Sequence, residues 1–257
     1  MHPILITIGG YQLHSFGVLM SLAVAMGSLV VYQRASKLYG ERVLDFCFWA
    51  VLAGLAGSRL WEVLFTWNDY RANPWTILAL WQGGLSIQGG ILGGVIAGYF
   101  WTRKEKIPFW QFADLVTPAI LLGQAIGRVG CFLAGDDYGI PTASFLGVVY
   151  AAGSPAYQVY GAQPLVPAEL LEGIWDLVII ALILGLERLA LKRFTGFNFP
   201  VYLGLYSAGR IVLENYRGFS LTIGEWKTAQ VAGAAGIILA LVIFLLLWRR
   251  SKRVLSE

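Results

Sequence analysis

Seven apolar runs, separated by short polar stretches, set the limits on what this chain can fold into. They cover roughly residues 13–31, 44–65, 83–101, from 109 into the stretch 123–139, 168–189, 199–216 and 228–248. A helix needs about 20 residues to cross a bilayer's hydrocarbon core. Each run reaches that length except the sixth, which is marginal. Only 13% of the 257 residues are charged and 57% are hydrophobic, whereas soluble domains carry about 25% charged residues. Backbone groups in lipid must find partners within their own segment, which makes these runs helices. The expected fold is therefore an all-α membrane protein, a seven-transmembrane-helix bundle forming one polytopic domain over residues 1–257.

Charge placement orients the bundle. Thirteen of the 19 basic residues follow runs one, three, five and seven: Arg34, Lys37 and Arg42; Arg103, Lys104 and Lys106; Arg188, Lys192 and Arg193; and Arg249, Arg250, Lys252 and Arg253. The other six are Arg59, Arg71, Arg128, Arg210, Arg217 and Lys227. Because cytoplasmic loops are enriched in Lys and Arg, the N-terminus is expected outside and the C-terminus in the cytoplasm. Residues 135–167 contain no Lys or Arg and are expected to form an outward-facing loop. Ten tryptophans and twelve tyrosines suit interfacial belts. The opening MHPILITIGGYQ has no basic n-region, so no cleaved signal peptide is expected.

Several function classes are disfavoured. A net charge of +4 is too small to read as nucleic-acid binding. The two cysteines, Cys47 and Cys131, form no framework, and a disulfide is not expected. No His/Cys/Asp/Glu spacing matches a metal-ligand set, and no phosphate-loop or dinucleotide fingerprint is present. No metal or cofactor is expected.

The chemistry concentrates in GQAIGRVGCFLAGDDYG, residues 123–139, where an apolar run ends in Arg128, Cys131, Asp136 and Asp137. A charge at membrane depth is expensive and marks a functional site by default. Arg59 and Glu62, three apart on one helix, can neutralise each other. Arg210, Glu214 and Arg217 share a face, and one glutamate cannot neutralise both arginines. That surplus together with Arg128 suits a phosphate, which guanidinium forks bind in bidentate fashion. The competing reading is an internal salt network in which Asp136, Asp137, Glu169 and Glu172 absorb the arginines. The glycines of run three read as close helix packing, or as a thin wall for a lipid or peptide with Gln88 as its polar side chain. His14, at the outer start of run one, has the near-neutral pKa of a possible base. Cys131 reads most simply as a small apolar residue.

These residues also carry a resemblance. The chain resembles the bacterial prolipoprotein diacylglyceryl transferases over nearly its whole length. GRVGCFLAGDDYG is similar to that family's Gly-Arg-x-Gly-Asn-Phe-x-Asn-x-Glu-x-x-Gly signature. LHSFG, GSRLWEVLF, WQGGLSIQGGILGG and YSAGRIVLENYR also match. The resemblance implies a seven-span bacterial inner-membrane enzyme whose site opens to lipid and the outer face. It would transfer diacylglyceryl from phosphatidylglycerol to the lipobox cysteine thiol of a prolipoprotein, giving a thioether and glycerol phosphate. Its partners would be phosphatidylglycerol, the prolipoprotein and surrounding membrane lipids. The family's two essential arginines correspond to Arg128 and Arg210, its signature glutamate to Asp136, and its histidine near the N-terminus to His14. Gly127, Gly130, Gly139, Tyr206, Glu214 and Arg217 complete the expected lipid site, with Gln88 at the third-run position.

The departures fall on one side of that site. Gln88 stands where the family has a histidine, Cys131 and Ala134 replace the signature asparagines, and Phe16 replaces a tyrosine. The segment before run five reads VPAELLE, keeping Pro167 and Glu172 but placing Val166 where the family has histidine. The lipid-anion half is retained and the thiol-activating half is altered. Two alternatives accompany the leading reading: transfer to a different outward-facing acceptor, and a phospholipid-binding paralogue without turnover. Asp136, Asp137 and His14 are the candidate replacement bases.

Overall fold

The computed structural model describes residues 3–9, 11–189 and 194–254. Lys192 and Arg193 of the basic cluster after the fifth run, and Met1, His2 and Gly10 of the opening segment, lie outside the described residues. The described chain is predominantly helical. A hairpin of β1 (Ile4–Ile8) and β2 (Tyr11–His14) precedes α1 (Ser15–Tyr39), α2 (Arg42–Phe65), the single turn α3 (Trp67–Tyr70), α4 (Ile87–Lys104) and α5 (Phe109–Ala134). There follow β3 (Val148–Val149), α6 (Pro155–Tyr160), β4 (Pro164–Leu165), α7 (Ala168–Arg188), α8 (Asn198–Leu213), β5 (Thr222–Ile223), β6 (Trp226–Lys227) and α9 (Thr228–Val254). Each strand pair is a two-stranded antiparallel sheet; β3 and β4 are joined through α6.

All seven apolar runs coincide with a long helix: α1, α2, α4, α5, α7, α8 and α9. Four of these, α1, α2, α5 and α9, are long and apolar enough to cross a membrane by length and composition. The others fall outside that set for visible reasons. Helix α4 is diluted by glycine and ends in Arg103 and Lys104. Helix α7 carries Glu169, Glu172 and Asp176. Helix α8 has 16 residues. The sixth run, expected to extend to Tyr216, stops being α-helical at Leu213 and continues as a 3-10 turn over Glu214–Tyr216.

The chain divides into two compact units, residues 31–112 and residues 1–30 with 113–257. Within the first, α2 and α4 meet along a glycine seam. A Cβ on Gly57 would collide with the Gly89 carbonyl, and one on Gly93 with the Ala53 carbonyl. Backbones that approach this closely exclude any side chain, so small residues form this interface. Close packing thus accounts for Gly89 and Gly93, whereas Gly83 and Gly94 have open space beside them. Beyond the seam, Phe46, Trp101 and Phe112 form an aromatic cluster.

Arg59 corrects an expectation. No Arg59–Glu62 ion pair occurs among the described contacts. The buried guanidinium instead donates to the carbonyls of Ile77 (2.8 Å) and Gly84 (2.8 Å), to those of Thr76, Gly83 and Ala79, and to the Tyr70 hydroxyl at 3.1 Å. The reason is donor count. Five N–H groups exceed what one carboxylate can accept, while the short 3-10 turns at Pro74–Leu78 and Leu80–Gln82 leave carbonyls without helical partners. Arg59 therefore pins the α3–α4 connection.

In the second unit, Leu121 of α5, Ile179 and Ile183 of α7 and Tyr202 of α8 form a buried core. Pro118 interrupts the hydrogen-bond ladder of α5 because it has no N–H to offer the Asp114 carbonyl. Asn198 Nδ2 takes that place at 3.3 Å. The Asp114 carboxylate in turn accepts the backbone N–H groups of Gly196 and Asn198, both at 2.8 Å. A carboxylate satisfying the free donors of a helix N-terminus is favourable in charge and hydrogen bonding. This clamp fixes the start of α8 against α5. The Trp175 indole N–H, donating to the Leu205 carbonyl at 2.9 Å, ties α7 to α8. Three helices are thereby held in register, and each carries one part of the site.

Candidate active site

Arg128 lies in the last turns of α5, Glu172 in the second turn of α7, and Arg210 in the last turn of α8. Glu214 and Arg217 follow in and just after the 3-10 turn. The Glu172 carboxylate sits among all three guanidiniums. Its Oε2 is 2.5 Å from Arg128 Nη2, and its Oε1 accepts from Arg217 Nη1 at 2.9 Å and from Arg210 Nη1. Glu214 pairs with Arg210 at 3.2 Å and lies 3.8 Å from Arg217 Nε. Asp137 closes the network from the loop side. Its Oδ2 accepts from Arg128 Nη1 at 2.9 Å, and its Oδ1 accepts from Arg217 Nη2.

Three guanidiniums thus face three carboxylates, and the positive surplus expected from the sequence is absorbed. Of the four acids proposed to absorb it, Asp137 and Glu172 do so. Glu169 is buried and accepts the Tyr150 hydroxyl at 2.6 Å instead. Asp136 lies in hydrogen-bonding reach of the Cys131 thiol, and its Oδ1 is buried without a partner among the described residues. Burial, and then the neighbouring Asp137 charge, push the Asp136 carboxyl above the ordinary carboxylate range. Burial likewise raises the Tyr150 phenol, and the hydrogen bond to Glu169 adds to that.

The loop that delivers Asp137 is stitched down by its backbone. Gly139 N–H donates to the Val166 carbonyl at 2.9 Å, Ile140 N–H to Tyr216 at 3.0 Å, and Gly218 N–H to Tyr138 at 2.9 Å. Gly139 works by close approach. A Cβ there would lie 2.6 Å from the Tyr216 carbonyl oxygen and 2.8 Å from Val166 Cβ. We expect Gly139→Ala to lower stability by about 1–3 kcal/mol through overpacking, read as a fall in thermal unfolding midpoint in detergent. Residues 135–167 also form a small core of Tyr150, Ala156 and Leu165, packed by Phe132, Tyr138 and Tyr160. A shallow cleft of about 140 Å³ opens beside the network, lined by Asp136, Asp137, Tyr138, Pro155, Arg217 and Phe219.

The remaining expected residues are placed as follows. Tyr206, on α8, is close enough to Arg128 to interact electrostatically. Gly130 packs against Phe16 of α1, and a Cβ on Gly127 would lie 4.0 Å from Met20 Cε. His14 is exposed at the end of β2, and no described contact ties it to the arginines. Gln88 belongs to the other compact unit, where its Oε1 accepts the Ser86 hydroxyl at 2.6 Å. From the sequence, Glu172 is expected only as a retained glutamate and a possible partner of the arginines, and Asp137 as a possible partner or replacement base; the structure places both in the arginine network. The available signals were the retained glutamate of VPAELLE and the doubled aspartate after the arginine motif. Among the described residues, no group of three or more His, Cys, Asp or Glu is arranged to hold a metal.

Fold and site together define a helical protein with four helices long and apolar enough to cross a membrane and an arginine–carboxylate network beside a small cleft. A sequence model described as prolipoprotein diacylglyceryl transferase matches residues 3–246. The chain is 36% identical over 245 residues to the phosphatidylglycerol–prolipoprotein diacylglyceryl transferase of a Nostoc species, covering 93% of this chain and 87% of that one. It is 35% identical over 262 residues to the enzyme of that name from Halalkalibacterium halodurans, covering 99% and 88%. Against that of Listeria monocytogenes the identity is 32% over 257 residues, covering 98% and 91%. The chain belongs to the prolipoprotein diacylglyceryl transferase family.

Proposed function

We propose that this protein transfers the diacylglyceryl group of phosphatidylglycerol to the cysteine thiol of a prolipoprotein lipobox. The observation that carries the reading is the convergence of Arg128, Arg210 and Arg217, from separate parts of the chain, on one buried carboxylate beside a cleft. Three guanidiniums in a partly buried site are an arrangement for binding phosphate. Likeness to curated transferases along nearly the whole chain supports the same reaction.

In this reaction the thiol sulfur attacks the terminal glyceryl carbon of the diacylglyceryl unit. A carbon–sulfur bond forms as the bond from that carbon to the phosphate oxygen breaks. The thiol proton leaves, and the departing glycerol phosphate ends with one proton more than its phosphodiester precursor. Arg128 and Arg210 hold the head-group phosphate and stabilise the charge that develops on the departing oxygen. Asp136 is the best-placed proton acceptor of the three candidates. It has an unpartnered buried oxygen, and a raised pKa strengthens a carboxylate as a base. Asp137 is committed to two arginines, and no described contact joins His14 to them. Arg217 adds a third guanidinium to the phosphate site, Tyr206 and Glu214 orient the arginines, and Gly127 and Gly130 keep the adjoining face of α5 slim. Gln88 has no proton-accepting role.

The seven long helices are read as a bundle in the bacterial inner membrane, N-terminus outside and C-terminus in the cytoplasm. Residues 135–167 then face outward, where a secreted prolipoprotein arrives. The test is a transfer assay with purified protein, phosphatidylglycerol labelled in its diacylglyceryl part, and a lipobox peptide. Label is expected on the cysteine peptide as a thioether and absent from a serine analogue. No labelled thioether from folded protein would overturn the reading, and label on the serine peptide would redirect it to another acceptor.

A further inference from the structure

Asp137 differs from the other two carboxylates of the network. Glu172 and Glu214 are buried on helical or 3-10 segments. The Asp137 side chain is 37% exposed and lines the cleft, so it is the network carboxylate that a ligand entering from the cleft meets first. Its two oxygens bridge Arg128 and Arg217, as two oxygens of a phosphate would. Its backbone is left-handed, with φ of 59°, a conformation rare outside glycine, asparagine and aspartate. In the family signature that the chain resembles, this position is unspecified.

Charge counting gives the bridge a consequence. With Asp137 in place, three guanidiniums are balanced by Asp137, Glu172 and Glu214. A phosphodiester added to that set brings an uncompensated negative charge into a partly buried site, which is unfavourable. If the Asp137 side chain turns into the cleft, it regains water and leaves one positive charge for the phosphate. Glu172 and Glu214, at 6% and 3% side-chain exposure, have no such route to solvent.

We propose that Asp137 is a displaceable internal anion: it holds the phosphate's place between Arg128 and Arg217 until a phospholipid head group takes it, and thereby sets the site's affinity for anionic lipid. The inference rests on the head-group reading above. It is tested by titrating phosphatidylglycerol, with phosphatidylcholine as control, into the detergent-solubilised full chain carrying Asp137→Asn or Asp137→Gly. Both residues accept the left-handed backbone, and the glycine variant leaves no side chain to bridge the arginines. Removing a competing charge in a partly buried site is expected to tighten phosphatidylglycerol binding about tenfold in both variants, with phosphatidylcholine unaffected.

A carboxylate that merely orders the arginines predicts the opposite sign, so unchanged or weaker binding in both variants overturns the proposal. The wild-type control separates the two levels of inference. If the wild type prefers phosphatidylglycerol through Arg210 while the Asp137 variants gain nothing, only the role of Asp137 falls. If the wild type shows no preference and Arg210→Ala changes nothing, the head-group reading falls with it.

Discussion

Arg128→Ala and Arg210→Ala are each expected to reduce diacylglyceryl transfer at least about a hundredfold, the scale seen when one donor to a developing oxyanion is removed. Both side chains keep about one-fifth of their surface open, 18% for Arg128 and 21% for Arg210, so a ligand can reach guanidiniums that the protein already holds in position. As the carbon–oxygen bond breaks, negative charge grows on the departing phosphate oxygen. Fixed donors in a partly buried site stabilise that charge without having to reorganise. The arginines come from α5 and α8, so neither substitutes for the other. Lysine should restore part of the loss at each position, because it returns the charge without the planar fork. The check is the initial rate of labelled peptide formation, compared among variants with matching thermal unfolding midpoints. Near wild-type turnover by either alanine variant would remove that arginine from the chemistry.

The second large effect is on stability. Glu172→Gln is expected to destabilise the protein by about 3–5 kcal/mol, the cost of removing one partner from a buried charge cluster. Glu172 is the hub: its two oxygens meet Arg128, Arg210 and Arg217. Glutamine matches its shape but leaves three guanidiniums facing Asp137 and Glu214 alone. Adding Arg217→Gln removes one of the stranded charges and should recover part of the loss, a non-additivity expected of residues in one network. Unfolding midpoints in detergent read both effects. An unchanged midpoint for Glu172→Gln would mean that the cluster is solvated enough to tolerate the excess charge.

The helices were legible because long apolar runs bounded by basic clusters are a simple code. Seven runs of apolar residues, closed off by clusters such as Arg103, Lys104 and Lys106, became seven long helices with boundaries shifted by a few residues. Only the sixth ended early, where the α-helix gives way to the turn that carries Glu214. Arg128, Arg210 and Arg217 stood out because charge is costly in apolar surroundings. Which of the candidate acids would pair with them was not legible, since pairing depends on where helices cross. Glu172 lies 44 residues beyond Arg128 in the sequence, and its role follows from the Asp114 and Asn198 clamp and the α7–α8 contacts. The same limit explains Arg59. Helical spacing brings Glu62 near it, but the loop carbonyls that satisfy Arg59 come from residues 76–84.

The central claim is that the arginine network receives the phosphate of the donor lipid. The most direct measurement is an experimental structure of the full chain with phosphatidylglycerol bound. The expected result is a head-group phosphate within hydrogen-bonding distance of Arg128, Arg210 and Arg217, with the Asp137 carboxylate displaced into the cleft and Glu172 still in place. A phosphate bound elsewhere, with Arg128, Arg210 and Arg217 still paired to Asp137, Glu172 and Glu214 as they are here, would contradict it.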